Sequence, residues 1–129
     1  MSYLVAKSDD GRDITIVING SIEIGRSYED YTVLVRSGDD IVSLEISDAT
    51  VSRVHACVYL EYGKLMVKDM GSKNGTLVNN VSLPGLAPCK ESRPKEIKDD
   101  SILKLGYNTQ VHLITGEPTQ RMGELDITR

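Results

Sequence analysis

Val51-Ser52-Arg53-Val54-His55-Ala56-Cys57-Val58-Tyr59-Leu60-Glu61-Tyr62-Gly63-Lys64-Leu65-Met66-Val67-Lys68-Asp69-Met70-Gly71-Ser72-Lys73-Asn74-Gly75-Thr76 is the stretch on which the reading of the fold turns. Two apolar runs, 56–62 and 64–69, flank Gly63. Within them Val58 and Leu60, then Leu65 and Val67, alternate with polar or outward positions, which is the period of a strand and not of a helix. A polar cluster stands at each outer end. The segment therefore reads as strand, turn, strand, with chemistry held in the loops.

Working outward, the same pattern repeats. Strand-like runs cover 3–6, 14–18, 22–24, 32–35 and 41–46 on one side, and 76–79, 95–98, 102–105 and 110–114 on the other. Turn residues separate most of them: Asp9-Asp10-Gly11, Asn19-Gly20 and Ser37-Gly38-Asp39-Asp40. Asn19-Gly20, set between Ile-rich runs, predicts a hairpin. Ile14/Ile16/Ile18 and Ile102/Leu105 are read as further cases of alternation. No window has helical periodicity, so the expected fold is an all-β sandwich or barrel. A single domain is expected over 1–115. Residues 116–129 thin out into a tail or linker, and 84–94, with three of the four prolines, into a long surface loop. A first strand this close to Met1 is expected of an N-terminal domain.

Composition narrows the function. The chain has 129 residues, a formal net charge of −4, six Tyr, and neither Phe nor Trp. An acidic chain with few aromatics lacks the basic face and stacking platform that nucleic-acid binding needs. No apolar run is long enough to span a membrane. Cys57 lies between Ala56 and Val58 and reads as a buried small hydrophobe, while Cys89 lies in the Pro-rich loop. Two cysteines with no secretory segment predict an intracellular, cytoplasmic protein, the nucleus remaining open. No metal or cofactor is expected, because His55, Cys57, Cys89 and His112 lack zinc-ligand spacing. Catalysis is not expected either. Residues 71–76 lack the Gly-Lys-Ser/Thr ending of a phosphate-cradling loop, and Ser52 and His55 have no nucleophile elbow.

Three polar clusters remain: Gly25-Arg26, Ser52-Arg53-Val54-His55 and Ser72-Lys73-Asn74-Gly75-Thr76. Each ends or begins a strand-like run, and each carries anion-binding groups. Brought together at one end of a sheet, they would form a small pocket for one local anion. A phosphorylated threonine carries about −1.5 to −2 charges and three acceptor oxygens. Arg26 offers a planar donor fork, which suits phosphate better than a point charge. Three or four charge-assisted bonds at about 1.5–3 kcal/mol each, less the cost of association, give roughly micromolar binding. A subsite for the threonine methyl adds about 0.8 kcal/mol, or about fourfold over serine.

In this order, and followed by Lys98-Asp99-Asp100-x-Ile102-x-x-Leu105-Gly106, the clusters resemble the forkhead-associated (FHA) domain family. The resemblance runs from about Leu4 to Ile114, through Ile24-Gly25-Arg26-Ser27, Val51 to Ala56, and Asp69 to Asn79. It implies a β-sandwich of two mostly antiparallel sheets with the binding loops at one end. It also implies recognition of phosphothreonine peptides in Ser/Thr kinase signalling, the partner being a phosphothreonine-containing protein with a kinase upstream. By that resemblance Arg26 and Ser52 contact the phosphate, Arg53 and Lys73 add to it, and Asn74 bonds the peptide main chain. Gly25, His55, Gly75 and Thr76 support the loops. Thr50 stands where some members select the third peptide residue after the phosphothreonine, and here it is neutral. Two segments are longer than the family pattern: one between Arg26 and Ser52, with its own strand-turn-strand around Gly38-Asp39, and one between Asn80 and Lys95. The competing reading is a scaffold that uses the same sandwich for phosphate-independent protein contact.

Overall fold

The structure is a computed structural model, and it describes residues 1–83 and 91–115. Twelve strands run in chain order: β1 (Ser2–Lys7), β2 (Asp13–Ile18), β3 (Ser21–Arg26), β4 (Thr32–Ser37), β5 (Asp40–Ser47), β6 (Ala56–Glu61), β7 (Lys64–Asp69), β8 (Thr76–Val78), β9 (Val81–Ser82), β10 (Lys95–Ile97), β11 (Ser101–Leu105) and β12 (Thr109–Ile114). They form two six-stranded sheets, ordered β2-β1-β12-β11-β8-β9 and β10-β7-β6-β3-β4-β5. Every pairing is antiparallel. The expected β-sandwich is the fold.

Alternation explains the strands. In β1, Leu4 and Ala6 point in while Tyr3 and Val5 point out; in β7, Leu65 and Val67 point in. The inner faces meet in an aliphatic core that includes Leu4, Ile24, Val33, Leu44, Val58, Leu103 and Leu113, each essentially without exposure. Burying a side chain of this size stabilises by about 1.5–3 kcal/mol relative to leaving it in water.

Three sequence readings need correction. The Asn19-Gly20 turn is not a hairpin, since β2 pairs with β1 in one sheet and β3 pairs with β4 and β6 in the other. Ile18 and Ile22, on either side of the turn, are both buried. A two-residue hairpin would keep both strands in one sheet; the crossing instead lets each bury its apolar face against the opposite sheet. The Leu60 N–H donates to the Gly20 carbonyl at 2.9 Å and ties the crossing to β6. Second, Ile102 is 40% exposed while Leu103 and Leu105 are buried. Positions three apart in a strand face opposite sides, so Ile102 and Leu105 cannot share the core. Third, Cys57 is only half-buried. It alternates with the buried Ala56 and Val58 and so lies on the outer face of its sheet, where burial still pushes its thiol up from the ordinary value.

The other turns follow their chemistry. β4 and β5 form the extra hairpin, pairing Ser37 with Asp40 around Gly38-Asp39. β6 and β7 close through Tyr62 and Gly63, both with positive φ, as a type I′ turn requires. The short β9, which the sequence reading lacked, is created by Asn79 and Asn80, also at positive φ. Cys89, most of the Pro-rich loop and the 116–129 tail lie outside the described residues. Among the described residues no helix is long and apolar enough to cross a membrane.

Candidate functional site

The site grows from the ends of β3, β5 and β7. Along β5 the register with β4 shifts, and Glu45 takes a positive φ of 54°. Leu44 and Ile46, two residues apart, both lie on the core side, and Glu45 between them is exposed. The chain then enters the loop 48–55, held at its start by the Asp48 N–H donating to the Tyr31 carbonyl.

Asp48 organises that loop. One carboxylate oxygen accepts from the Thr50 N–H at 2.9 Å and the Thr50 hydroxyl at 2.6 Å; the other accepts from the Thr109 hydroxyl at 2.6 Å. Burial alone raises its pKa, but the bonds from Thr109 and Thr50 outweigh this and hold it below the usual carboxylate value. Thr50 is thereby committed inward. Its hydroxyl donates to Asp48 and accepts from the Tyr107 N–H, and its carbonyl accepts from the Asn74 side-chain amide at 2.8 Å.

Asp69 does the same for the third loop. It accepts from the N–H groups of Gly71 and Ser72, and from the hydroxyls of Ser72 and Thr76. Thr76 is fully buried, so its role is internal. Gly75, at φ +84°, donates to the Ser72 hydroxyl. Its carbonyl accepts from His55 Nε2 at 2.8 Å and the Gly106 N–H at 3.2 Å.

His55 joins the loops. It has no exposed surface, its Nδ1 accepts from the Ser52 N–H at 2.9 Å, and Nε2 therefore carries the proton given to Gly75. Burial lowers its pKa below the ordinary value. A protonated ring would place a second proton against the Ser52 N–H. The folded state thus resists a proton that the unfolded chain takes up near about pH 6.5, and stability is full above that pH and lost as pH falls below it. The melting temperature is expected to decline between about pH 7 and about pH 5. A flat profile across that window would remove His55 from this role.

Gly25 allows the closest approach. A Cβ there would lie 1.9 Å from the Arg53 carbonyl oxygen, so only glycine lets the second loop rest on β3. Next to it, the Arg26 N–H donates to the Ser52 carbonyl at 3.0 Å and its Nε to the Val51 carbonyl at 2.9 Å. The guanidinium carbon stands 5.6 Å from the Tyr31 ring centre. With Nε used internally, neither Nη group makes a hydrogen bond among the described residues. The Ser52 hydroxyl accepts from the Lys73 N–H at 3.0 Å and retains its own proton to donate. The Lys73 side chain is exposed, as is that of Arg53.

The structure thus brings Arg26, Ser52, Arg53, Lys73 and Asn74 to one end of the sandwich, with Gly25, His55, Gly75 and Thr76 packed beneath. His112 stands apart, exposed on the outer face of the first sheet. The sequence reading missed Asp48 and Asp69 as loop organisers. Their spacing to Thr50 and to Gly71-Ser72 is the turn signature of a carboxylate that accepts from the backbone two or three residues on. It also missed Arg36, Tyr28 and Tyr31, which carry no motif.

The FHA domain profile matches residues 22–106. The probable E3 ubiquitin-protein ligase dma1 of Schizosaccharomyces pombe is 38% identical over 88 residues, covering 68% of this chain and 30% of that protein. Protein phosphatase 2C 70 of Arabidopsis thaliana is 39% identical over 74 residues, covering 54% of this chain and 13% of that protein. The chain therefore spans less than a third of the length of these curated relatives. Among solved structures, the kinase-interacting FHA domain of a kinase-associated protein phosphatase from Arabidopsis superposes with a TM-score of 0.61 at 27% identity, covering 90% of this chain and 96% of that one. With the profile spanning most of the sandwich and all three loop clusters, the chain belongs to the FHA domain family.

Proposed function

We propose that this domain is a non-catalytic module that binds phosphothreonine peptides, within Ser/Thr kinase signalling inside the cell. The observation that carries the reading is the pairing of unengaged donors. Arg26 spends Nε on the Val51 carbonyl and keeps its Nη edge, while Ser52 accepts from Lys73 and keeps its proton. Both sit where the backbone of Arg26 meets that of Ser52. A tetrahedral dianion matches such a notch: two coplanar donors on one side, a short hydroxyl on the other, and Lys73 and Arg53 adding charge. Asn74, fixed by its bond to Thr50, offers its remaining amide hydrogen and oxygen to a peptide main chain.

The test is calorimetric titration with a degenerate phosphothreonine peptide library, its unphosphorylated counterpart and a phosphoserine version. Micromolar binding of the phosphothreonine form is expected, and Ser52→Ala is expected to weaken it about tenfold, the worth of one charge-assisted bond. Affinity should also fall below about pH 6, where the phosphate loses its second charge. The scaffold reading makes the opposite forecast: partner binding that ignores phosphorylation and the Ser52 substitution.

A further inference from the structure

We propose that Arg36 and Arg53, gathered on the ring of Tyr28, form a second anion-binding position that takes an additional acidic group, a carboxylate or a second phosphoryl, on the same peptide. The inference rests on the phosphothreonine reading above and concerns what flanks that residue.

The guanidinium carbons of Arg53 and Arg36 lie 5.3 Å and 5.6 Å from the Tyr28 ring centre. Arg36 Nη1 also donates to the Arg53 carbonyl at 3.4 Å. Two like charges on one exposed ring repel each other, and a cation–π contact at an exposed site returns only about 0.5–1 kcal/mol. Arg36 is ion-paired with Glu23 at 3.7 Å, whereas Arg53 has no acidic partner among the described residues. One carboxylate thus stands against two guanidiniums, which leaves a local positive charge at Arg53 on a chain whose net charge is −4. An anion entering between the guanidiniums relieves that repulsion.

The place adjoins the notch at Arg26 and Ser52, with Arg53 standing between the two. Arg36 extends from the outer face of β4, opposite Glu23 on β3. Tyr28 projects from the β3–β4 loop and is 64% exposed. Arg53 follows Ser52 directly, so a peptide holding its phosphothreonine in the notch passes this cluster within a few residues, each advancing about 3.3–3.6 Å.

The experiment uses the 129-residue chain and fluorescence anisotropy with four kinds of probe. These are a phosphothreonine peptide with neutral flanks, the same peptide with glutamate moved through each flanking position, one with phosphoserine there, and an unphosphorylated acidic peptide. The best acidic flank is expected to tighten binding about tenfold over the neutral peptide, and Arg36→Gln to cut that advantage to about twofold while neutral-flank binding stays within about twofold. Tyr28→Ala, on an exposed loop, is expected to reduce the same advantage. A phosphoserine arm well above the glutamate arm identifies a second phosphoryl as the group taken; equal arms identify a carboxylate. No acidic advantage at any position, with the neutral phosphopeptide still bound, overturns the second position alone. So does an advantage that survives both substitutions. Failure of every phosphopeptide to bind overturns the underlying reading, and this one with it.

Discussion

Replacement of Arg26 by alanine is expected to weaken phosphothreonine-peptide binding by about two orders of magnitude. Two Nη bonds to a dianion, at about 1.5–3 kcal/mol each, supply at least about 3 kcal/mol, and each 1.4 kcal/mol is tenfold. The substitution also removes the Nε bond to the Val51 carbonyl and the contact with Tyr31. A lysine variant separates these effects. Arg26→Lys keeps the charge but loses the fork, and should fall about tenfold short of the native residue. The check is isothermal titration beside a thermal melt. Alanine and native domains that bind equally, both folded, would remove Arg26 from the site.

The second large effect is on folding. Gly25→Ala would drive a methyl group to 1.9 Å from the Arg53 carbonyl oxygen and 2.7 Å from its carbon. These are backbone atoms, which cannot rotate away as a side chain would. The Arg53 peptide must move, and with it the bonds from the Arg26 N–H to Ser52 and from the Ser52 N–H to His55. Overpacking of this kind costs on the order of 3 kcal/mol. A fall in melting temperature of at least about 10 °C is expected in a domain of this size, with phosphopeptide affinity lost in whatever fraction stays folded. A melt within a few degrees of native would show that the loop has room the geometry denies.

Several elements were legible because they depend on neighbours in the chain. Alternation in 56–62 and 64–69 names strands, since side chains two apart share a face whatever they pack against. Tyr62-Gly63 and Gly38-Asp39 close real hairpins. Asn19-Gly20 shows the boundary of that logic. The dipeptide makes a tight turn in either case, but whether the two strands pair or part depends on which sheet each can complete; β1, just before it, takes β2, and β6, far away in sequence, takes β3. Ile102 was misread because two apolar residues three apart look like a pattern until the pleat assigns them to opposite faces.

The site divides along the same line. Arg26, Ser52, Arg53, Lys73 and Asn74 were readable as donors because a guanidinium or a hydroxyl is one in any setting. Thr50 stands where some family members select a peptide residue, and only the structure shows that its hydroxyl bonds Asp48 and the Tyr107 N–H. Tyr28, Arg36 and Arg53 meet across three separate segments, and no spacing in the chain announces them.

The sequence by itself determined the strands, most of the turns, and the inventory of anion-binding side chains, because each follows from local sterics and the chemistry of single residues. Only the tertiary structure decided which of those side chains face solvent with donors unspent and which are consumed inside. That allocation follows from long-range backbone contacts, such as the Arg53 carbonyl resting on Gly25, where the absence of one methyl group lets two loops become one surface.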